Sequence, residues 1–176
     1  IDSLGFILPD PEKYSVEEFK VLLDGIHPES IELNFAPEGK AREVVQYLIE
    51  VLKSRGTSLK NIRGAVEADP LGRLMVNGKL CVPVKDGLDY LAALITDSAE
   101  LPNLRVLQVN AANFSNAGAD IVRELAFGLS LGNEYLSQLT DRGIKIDTAA
   151  SKTGFTFAIG SNYFMEIAKL RAARLL

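Results

Sequence analysis

Four stretches of this chain alternate between apolar residues and residues that are polar or small, and that pattern limits the possible fold more than anything else. Ile31, Leu33 and Phe35 alternate with Glu32 and Asn34, and Ile62, Gly64 and Val66 with Arg63, Ala65 and Glu67. Further on, Leu107, Val109 and Ala111 alternate with Gln108 and Asn110, and Phe155, Phe157 and Ile159 with Thr156, Ala158 and Gly160. Successive side chains of a strand point to opposite faces. Each stretch therefore offers one face to a core and a second that is polar or small. Helical patterns lie between them, and strands alternating with helices build a parallel sheet. Were helices to cover both faces, the strands would read as unbroken apolar runs. They do not, so helices cover one face only, and the sheet must curl into a barrel whose other face is the lumen. An ordinary barrel fills its lumen with layers of Val, Ile and Leu. Here Glu32, Arg63, Glu67, Gln108 and Asn110 occupy that face. Either the lumen is partly open, wet or occupied by a polar ligand, or Arg63, Glu67 and Glu32 pair with one another and with Gln108 and Asn110 in a closed buried network.

The elements follow in order. A possible strand spans Leu4 to Ile7. Ser15 and Glu18 have capping-box spacing, and Phe19, Leu22, Leu23 and Ile26 make one stripe of a helix over 15–26 that His27–Pro28 ends. A strand over 30–35 precedes a helix over 38–55, in which Ala41, Val44, Val45, Leu48, Ile49 and Leu52 share a face. A strand over 62–68 leads to Asp69–Pro70, which opens a short helix closed by Asn77–Gly78. A helix over 86–99 and a strand over 104–110 come next. Then AANFSNAGAD reads as a loop opening a long helical region, followed by a strand over 155–160 and a final helix after Ser161–Asn162. A whole barrel takes eight strands and about 250 residues. The expectation is therefore a single domain over residues 1–176 that is a partial (β/α)8 TIM-type barrel with parallel strands. The chain has no initiator Met and stops at ARLL without a cap, as a piece of something longer would.

Charge and motifs exclude several classes. A formal charge of −4 and a pI near 5.1 do not suit nucleic acid or an anionic membrane surface. No run of about eighteen apolar residues exists to span a bilayer, and no secretory signal opens the chain. Cys81 is the one cysteine, so neither an internal disulfide nor a cysteine metal cluster is available, and a cytoplasmic location is expected. Gly128-Leu-Ser130-Leu-Gly132 matches the nucleophile-elbow pattern. However, the helical ELAF precedes it and the one histidine, His27, lies far upstream, so the glycines are expected to serve a bend or close helix packing. Asn113-Phe-Ser115 fits a glycosylation sequon that an unsecreted chain would not use. Glu32 and Glu67 could form an acid–base pair, but spacing alone does not show it.

The closing AIGSNYFMEIAKLRAARLL and the upstream NAGADIVRELAFGLSLGNEYL closely resemble methylmalonyl-CoA mutase. A looser but in-register similarity runs through LLDGIHPESIEL and LMVNGKLCVPV and covers essentially the whole chain. The resemblance implies a (β/α)8 barrel with an acyl-CoA threaded along its axis, followed by a separate cobalamin domain. It also implies isomerisation of methylmalonyl-CoA and succinyl-CoA with adenosylcobalamin in the holoenzyme. The family's functional positions carry over one at a time, and they differ here. Asn113 stands where the catalytic subunit has a histidine after the strand that ends at Asn110. Glu67 takes the place of a glutamine, and Asn77 that of the arginine that grips the substrate carboxylate. The D-x-H-x-x-G cobalamin loop is missing from this sequence. Asn cannot supply a histidine's proton, and a neutral Asn loses the bidentate clamp of an Arg. Glu67 would repel an anionic substrate. The expected chain is thus part of the small, non-catalytic subunit that pairs with a large catalytic subunit. No catalytic residue is assigned, and Glu67, Asn77, Asn110 and Asn113 are degenerate substrate-pocket positions. This chain is expected to bind no cofactor or metal itself, and acyl-CoA only within the complex. Two other readings are open: an active barrel using Glu67, Asn77, Gln108, Asn110 and Asn113 for a different acyl-CoA, and a free-standing α/β binding module.

Overall fold

The computed structural model describes residues 1–10, 13–79 and 82–175; Cys81 lies outside them. β1 (Ser3–Leu8), β2 (Glu32–Pro37), β3 (Arg63–Val66) and β4 (Leu104–Arg105) form one sheet in that order, and β5 (Leu107–Asn110) pairs with β6 (Thr153–Thr156). Every pairing is parallel. Only Val106 separates β4 from β5, and the Gln108 amide still donates to the Ala68 carbonyl beyond the end of β3, at 3.3 Å. The two sheets are therefore one arc that bends at its fourth position. Parallel strands in chain order with helices between them make a partial TIM-type α/β barrel. Among the described residues the barrel does not close.

Local chemistry explains each helix. The Ser15 hydroxyl accepts from the Glu18 amide at 3.4 Å and so caps α1 (Val16–Leu22), which is half of the expected capping box; the Glu18 carboxylate accepts from that same hydroxyl at 3.0 Å, whereas a full box would have it accept from the Ser15 amide. Gly39 and Lys40 have positive φ, so α2 (Ala41–Ser54) starts three residues later than the pattern suggested. Its buried face is Ala41, Val44, Val45, Leu48, Val51 and Leu52. Asp69 caps α3 (Pro70–Asn77), and Gly78, at φ 66°, ends it. α4 spans Val84–Asp97. The stretch read as a loop after β5 contains a short helix, α5 (Ala112–Asn116), before Asp120 caps the long α6 (Ile121–Asp141). A further short helix, α7 (Ile146–Ser151), precedes β6, and α8 (Tyr163–Ala173) follows it.

The core lies between the helices and one face of the arc. Leu33 and Phe35 of β2 are fully buried, with Phe6 and Phe19 stacked on Phe35 at 5.2 and 5.7 Å. Leu48, Leu52, Leu91, Leu94, Val109 and Leu139 complete it. Each such side chain contributes about 1.5–3 kcal/mol on leaving water. The GLSLG stretch lies wholly within α6. A methyl group on Gly128 would sit 2.7 Å from Ala111 Cβ, and one on Gly132 would sit 2.5 Å from Phe155 Cζ. These glycines let α6 lie close on β5 and β6, as close packing requires, and Ser130 is an exposed helical residue.

Two expectations are corrected. The last strand is Thr153–Thr156, not 155–160. After Thr156 the backbone is captured by side chains: Ala158 N donates to Glu124 Oε1 at 2.6 Å and Gly160 N to Glu166 Oε1 at 2.9 Å, so neither amide joins a ladder. The closed inner network is also not formed. Glu32, Arg63 and Glu67 are exposed, and no ion pair or hydrogen bond among the described residues joins them to one another. On β2, β3 and β5 the inner face is polar or small as expected, whereas β1 adds the exposed apolar Ile7 to it; in the unclosed arc Glu32, Arg63 and Ile7 stand in solvent. The hydrogen bonds of that face are neutral ones, Asn34 to Ser3 at 2.8 Å and Gln108 to Thr156 at 3.1 Å.

Candidate functional site

All strands run in one direction, so the segments leaving their carboxyl ends gather on one rim. Glu67 directly follows β3, Asn110 ends β5, and Asn113 lies in the first turn of α5. The fold thus brings these three to the same rim. Asn77 is placed differently, at the far end of α3, about 10 Å along the helix axis from Pro70, where it is exposed. Gln108 lies on the inner face one strand repeat below Asn110.

The rim is held together by a residue that sequence reasoning used only as a helix cap. Asp69 Oδ1 accepts from the Gly72 amide at 2.8 Å and from the Tyr135 hydroxyl at 2.5 Å, while Oδ2 accepts from the Asn110 amide at 3.3 Å. The Tyr135 hydroxyl in turn accepts from the Leu71 amide at 2.8 Å. One carboxylate therefore joins the end of β5, the start of α3 and the middle of α6. Gly72 is required here, because a methyl group would run into the Asp69 carboxylate. Burial pushes the Tyr135 hydroxyl far above its ordinary range, and the charge of Asp69 adds to that, so it stays protonated and donating.

This arrangement limits what the rim can bind. A helix amino terminus beside strand ends is a ready anion site when its amides are free. In α3, Pro70 has no amide hydrogen, and the Leu71 and Gly72 amides are taken by Tyr135 and Asp69, so that site is closed. Glu67 adds negative charge beside it. Its pKa is raised, first by desolvation at the strand end and then by Asp69. Two inner-face acceptors have no hydrogen-bond partner: Gln108 Oε1 and Asn110 Oδ1 are both shielded and unpaired. His27 is exposed on the loop entering β2, at the opposite end of the strands.

A second cluster supports the segment after β6. Lys169 Nζ lies 2.8 Å from Glu124 Oε2 and 2.7 Å from Glu166 Oε2, and it also donates to the Ala158 carbonyl at 2.5 Å. Burial opposes the Lys169 charge, but the two carboxylates outweigh it and hold its pKa above the ordinary lysine value. Glu124 Oε1 and Oε2 and Glu166 Oε1 each accept a hydrogen bond, while Glu166 Oε2 meets the ammonium as an ion pair without a hydrogen bond of its own, so the cluster is a tie between α6, α8 and the backbone. It borders an open cleft of about 630 Å³ whose walls include Ser115, Asn116, Val122, Ile159, Ser161 and Met165.

Asp69–Pro70 was visible in sequence as a helix start. Tyr135 was not, because within α6 it looks like any other apolar-face residue, and its partner is 66 positions away. No local pattern could have found that pair.

A one-way parallel arc with its polar groups at the carboxyl rim is the architecture of the barrel enzymes, in which that rim carries the working groups. More narrowly, the chain belongs to the methylmalonyl-CoA mutase family, whose profile matches residues 14–176. It is 40% identical over its whole length to the methylmalonyl-CoA mutase small subunit of Porphyromonas gingivalis, covering 28% of that protein. Over 92% of the chain it is 35% identical to methylmalonyl-CoA mutase of Rhizobium meliloti and 32% identical to the large subunit from P. gingivalis, covering 23% of each. The chain thus spans about a quarter of the length of the curated relatives it matches.

Proposed function

We propose that this chain is part of the barrel of a mutase small subunit, structural rather than catalytic, that assembles with a large catalytic subunit. The reaction of that complex is the adenosylcobalamin-dependent interconversion of methylmalonyl-CoA and succinyl-CoA, and the cofactor supplies the radical chemistry when bound to the partner. The observation that carries the reading is the charge at the rim. Glu67 stands beside Asp69, where an anionic acyl group would have to sit, and Asn113 offers no proton donor of suitable pKa. The stronger identity to a small subunit than to a large one supports the same assignment. A cytoplasmic location fits the reading, and no helix among the described residues is long and apolar enough to cross a membrane.

Co-expression of the full-length parent with the large mutase subunit from the same source tests this. The reading predicts a stable complex of one copy of each, with mutase turnover that depends on the large subunit. A parent that never co-purifies with that subunit contradicts it. One observation favours a second reading, an active barrel on a different acyl-CoA: the side-chain oxygens of Gln108 and Asn110 on the inner face are shielded from solvent yet have no hydrogen-bond partner.

A further inference from the structure

We infer that Asp69 and Tyr135 are a positioning pair that sets the shape of the rim, with Tyr135 acting through Asp69 on the turn carrying Asn110 and Asn113. The geometry carries this without reference to any ligand. Tyr135 has no hydrogen bond to residues 110–116; its hydroxyl is occupied by Asp69 on one side and the Leu71 amide on the other. Among the described residues, the Asp69 carboxylate is the group that hydrogen-bonds both the Tyr135 hydroxyl and the Asn110 amide. A proton donor fixed on one carboxylate oxygen orients the plane of the whole group, and so directs Oδ2 at Asn110. Asn110 in turn carries the shielded, unpaired Oδ1, so the pair fixes the backbone from which that acceptor projects. Gly72 has no side chain to push the carboxylate aside, which keeps the arrangement closed. Tyr135 thereby caps α3 from a different helix, and α3 and the turn after β5 are registered to one point.

Amide hydrogen exchange on the full-length parent tests the inference and is independent of whether that protein pairs with a large subunit. In Tyr135→Phe, exchange at Leu71 and also at Asn110 should quicken at least tenfold, while the amides of β1 and β2 keep their wild-type rates. In an Asp69→Asn background, which keeps a capping oxygen for α3 but has no second acceptor for Asn110, adding Tyr135→Phe should change Asn110 no further. Quickening at Leu71 alone, or an equal rise at every amide, overturns the pair as a positioning device. Should the variants fail to fold, the wild-type protein still decides. A short, shielded hydroxyl–carboxylate bond gives a slowly exchanging, downfield Tyr135 hydroxyl proton with cross-peaks to the Leu71 amide. The absence of that resonance would refute the inference.

Discussion

Lys152→Met should weaken the fold at its bend, with a pH signature that identifies the cause. The Lys152 carbonyl accepts from the amides of Val106 and Leu107 at 3.0 and 3.1 Å, joining β5 to β6. Its ammonium donates to the carbonyls of Ser98, Leu101 and Leu104 at 3.0, 2.5 and 3.1 Å. Burial lowers its pKa from the ordinary 10.5 to about 8, so at pH 7 it is still mainly charged, with three donors for three acceptors. A shift of that size corresponds to a desolvation penalty of about 3 kcal/mol. Against this stand three charge-assisted hydrogen bonds worth roughly 1.5–3 kcal/mol each, weakened because the Ser98 and Leu101 carbonyls also accept backbone amides. The balance favours the lysine. Methionine keeps the stem and removes the ammonium, so the variant should lose about 2 kcal/mol, or roughly 4–8 °C in Tm. Because the folded pKa lies below the unfolded one, the unfolded chain holds the extra proton between about pH 8 and 10.5. Wild-type stability therefore gains from this group as pH rises through that window. Urea unfolding at pH 7 and pH 10 should show the gap between wild type and variant widening at the higher pH. A variant as stable as wild type at pH 7, or a gap that narrows on going to pH 10, would refute the reasoning.

Two further substitutions have definite outcomes. Gly64→Ala should yield little folded protein by circular dichroism, because Gly64 sits at φ 134° and its new methyl group would overlap the Leu33 backbone. Glu67→Gln should raise the thermal midpoint at pH 7, since desolvation and Asp69 raise the folded pKa of Glu67 and its charge costs stability at neutral pH. Because the folded pKa is raised, the folded state holds a proton that the unfolded chain has already lost, so that cost disappears as pH falls through the folded pKa. The two proteins should therefore melt together in acid.

Much of the arc was legible because strand alternation and helix stripes are local patterns. β1, β2, β3 and β5 lie within a few residues of where the pattern put them, and the Ser15 and Asp69 caps sit where their spacing indicated. The end of β6 was not legible. Phe157 to Gly160 continues the alternation, yet Glu124 and Glu166, which are distant or out of phase in sequence, take the backbone amides of Ala158 and Gly160 that a strand would need. The bend at Val106 was hidden for a similar reason, since it depends on Lys152 reaching three carbonyls some fifty residues earlier. At the rim, Glu67, Asn110 and Asn113 follow from strand ends and could be placed, whereas the Asp69–Tyr135 bond joins two elements that only the tertiary fold brings together.

The proposal on which the rest depends is that this chain keeps the arc of a mutase barrel but offers no hold for an anionic acyl-CoA. Isothermal titration of the full-length parent, without the large subunit, with methylmalonyl-CoA tests it most directly. The account predicts no binding heat up to millimolar ligand, and a saturable one-to-one isotherm would contradict it.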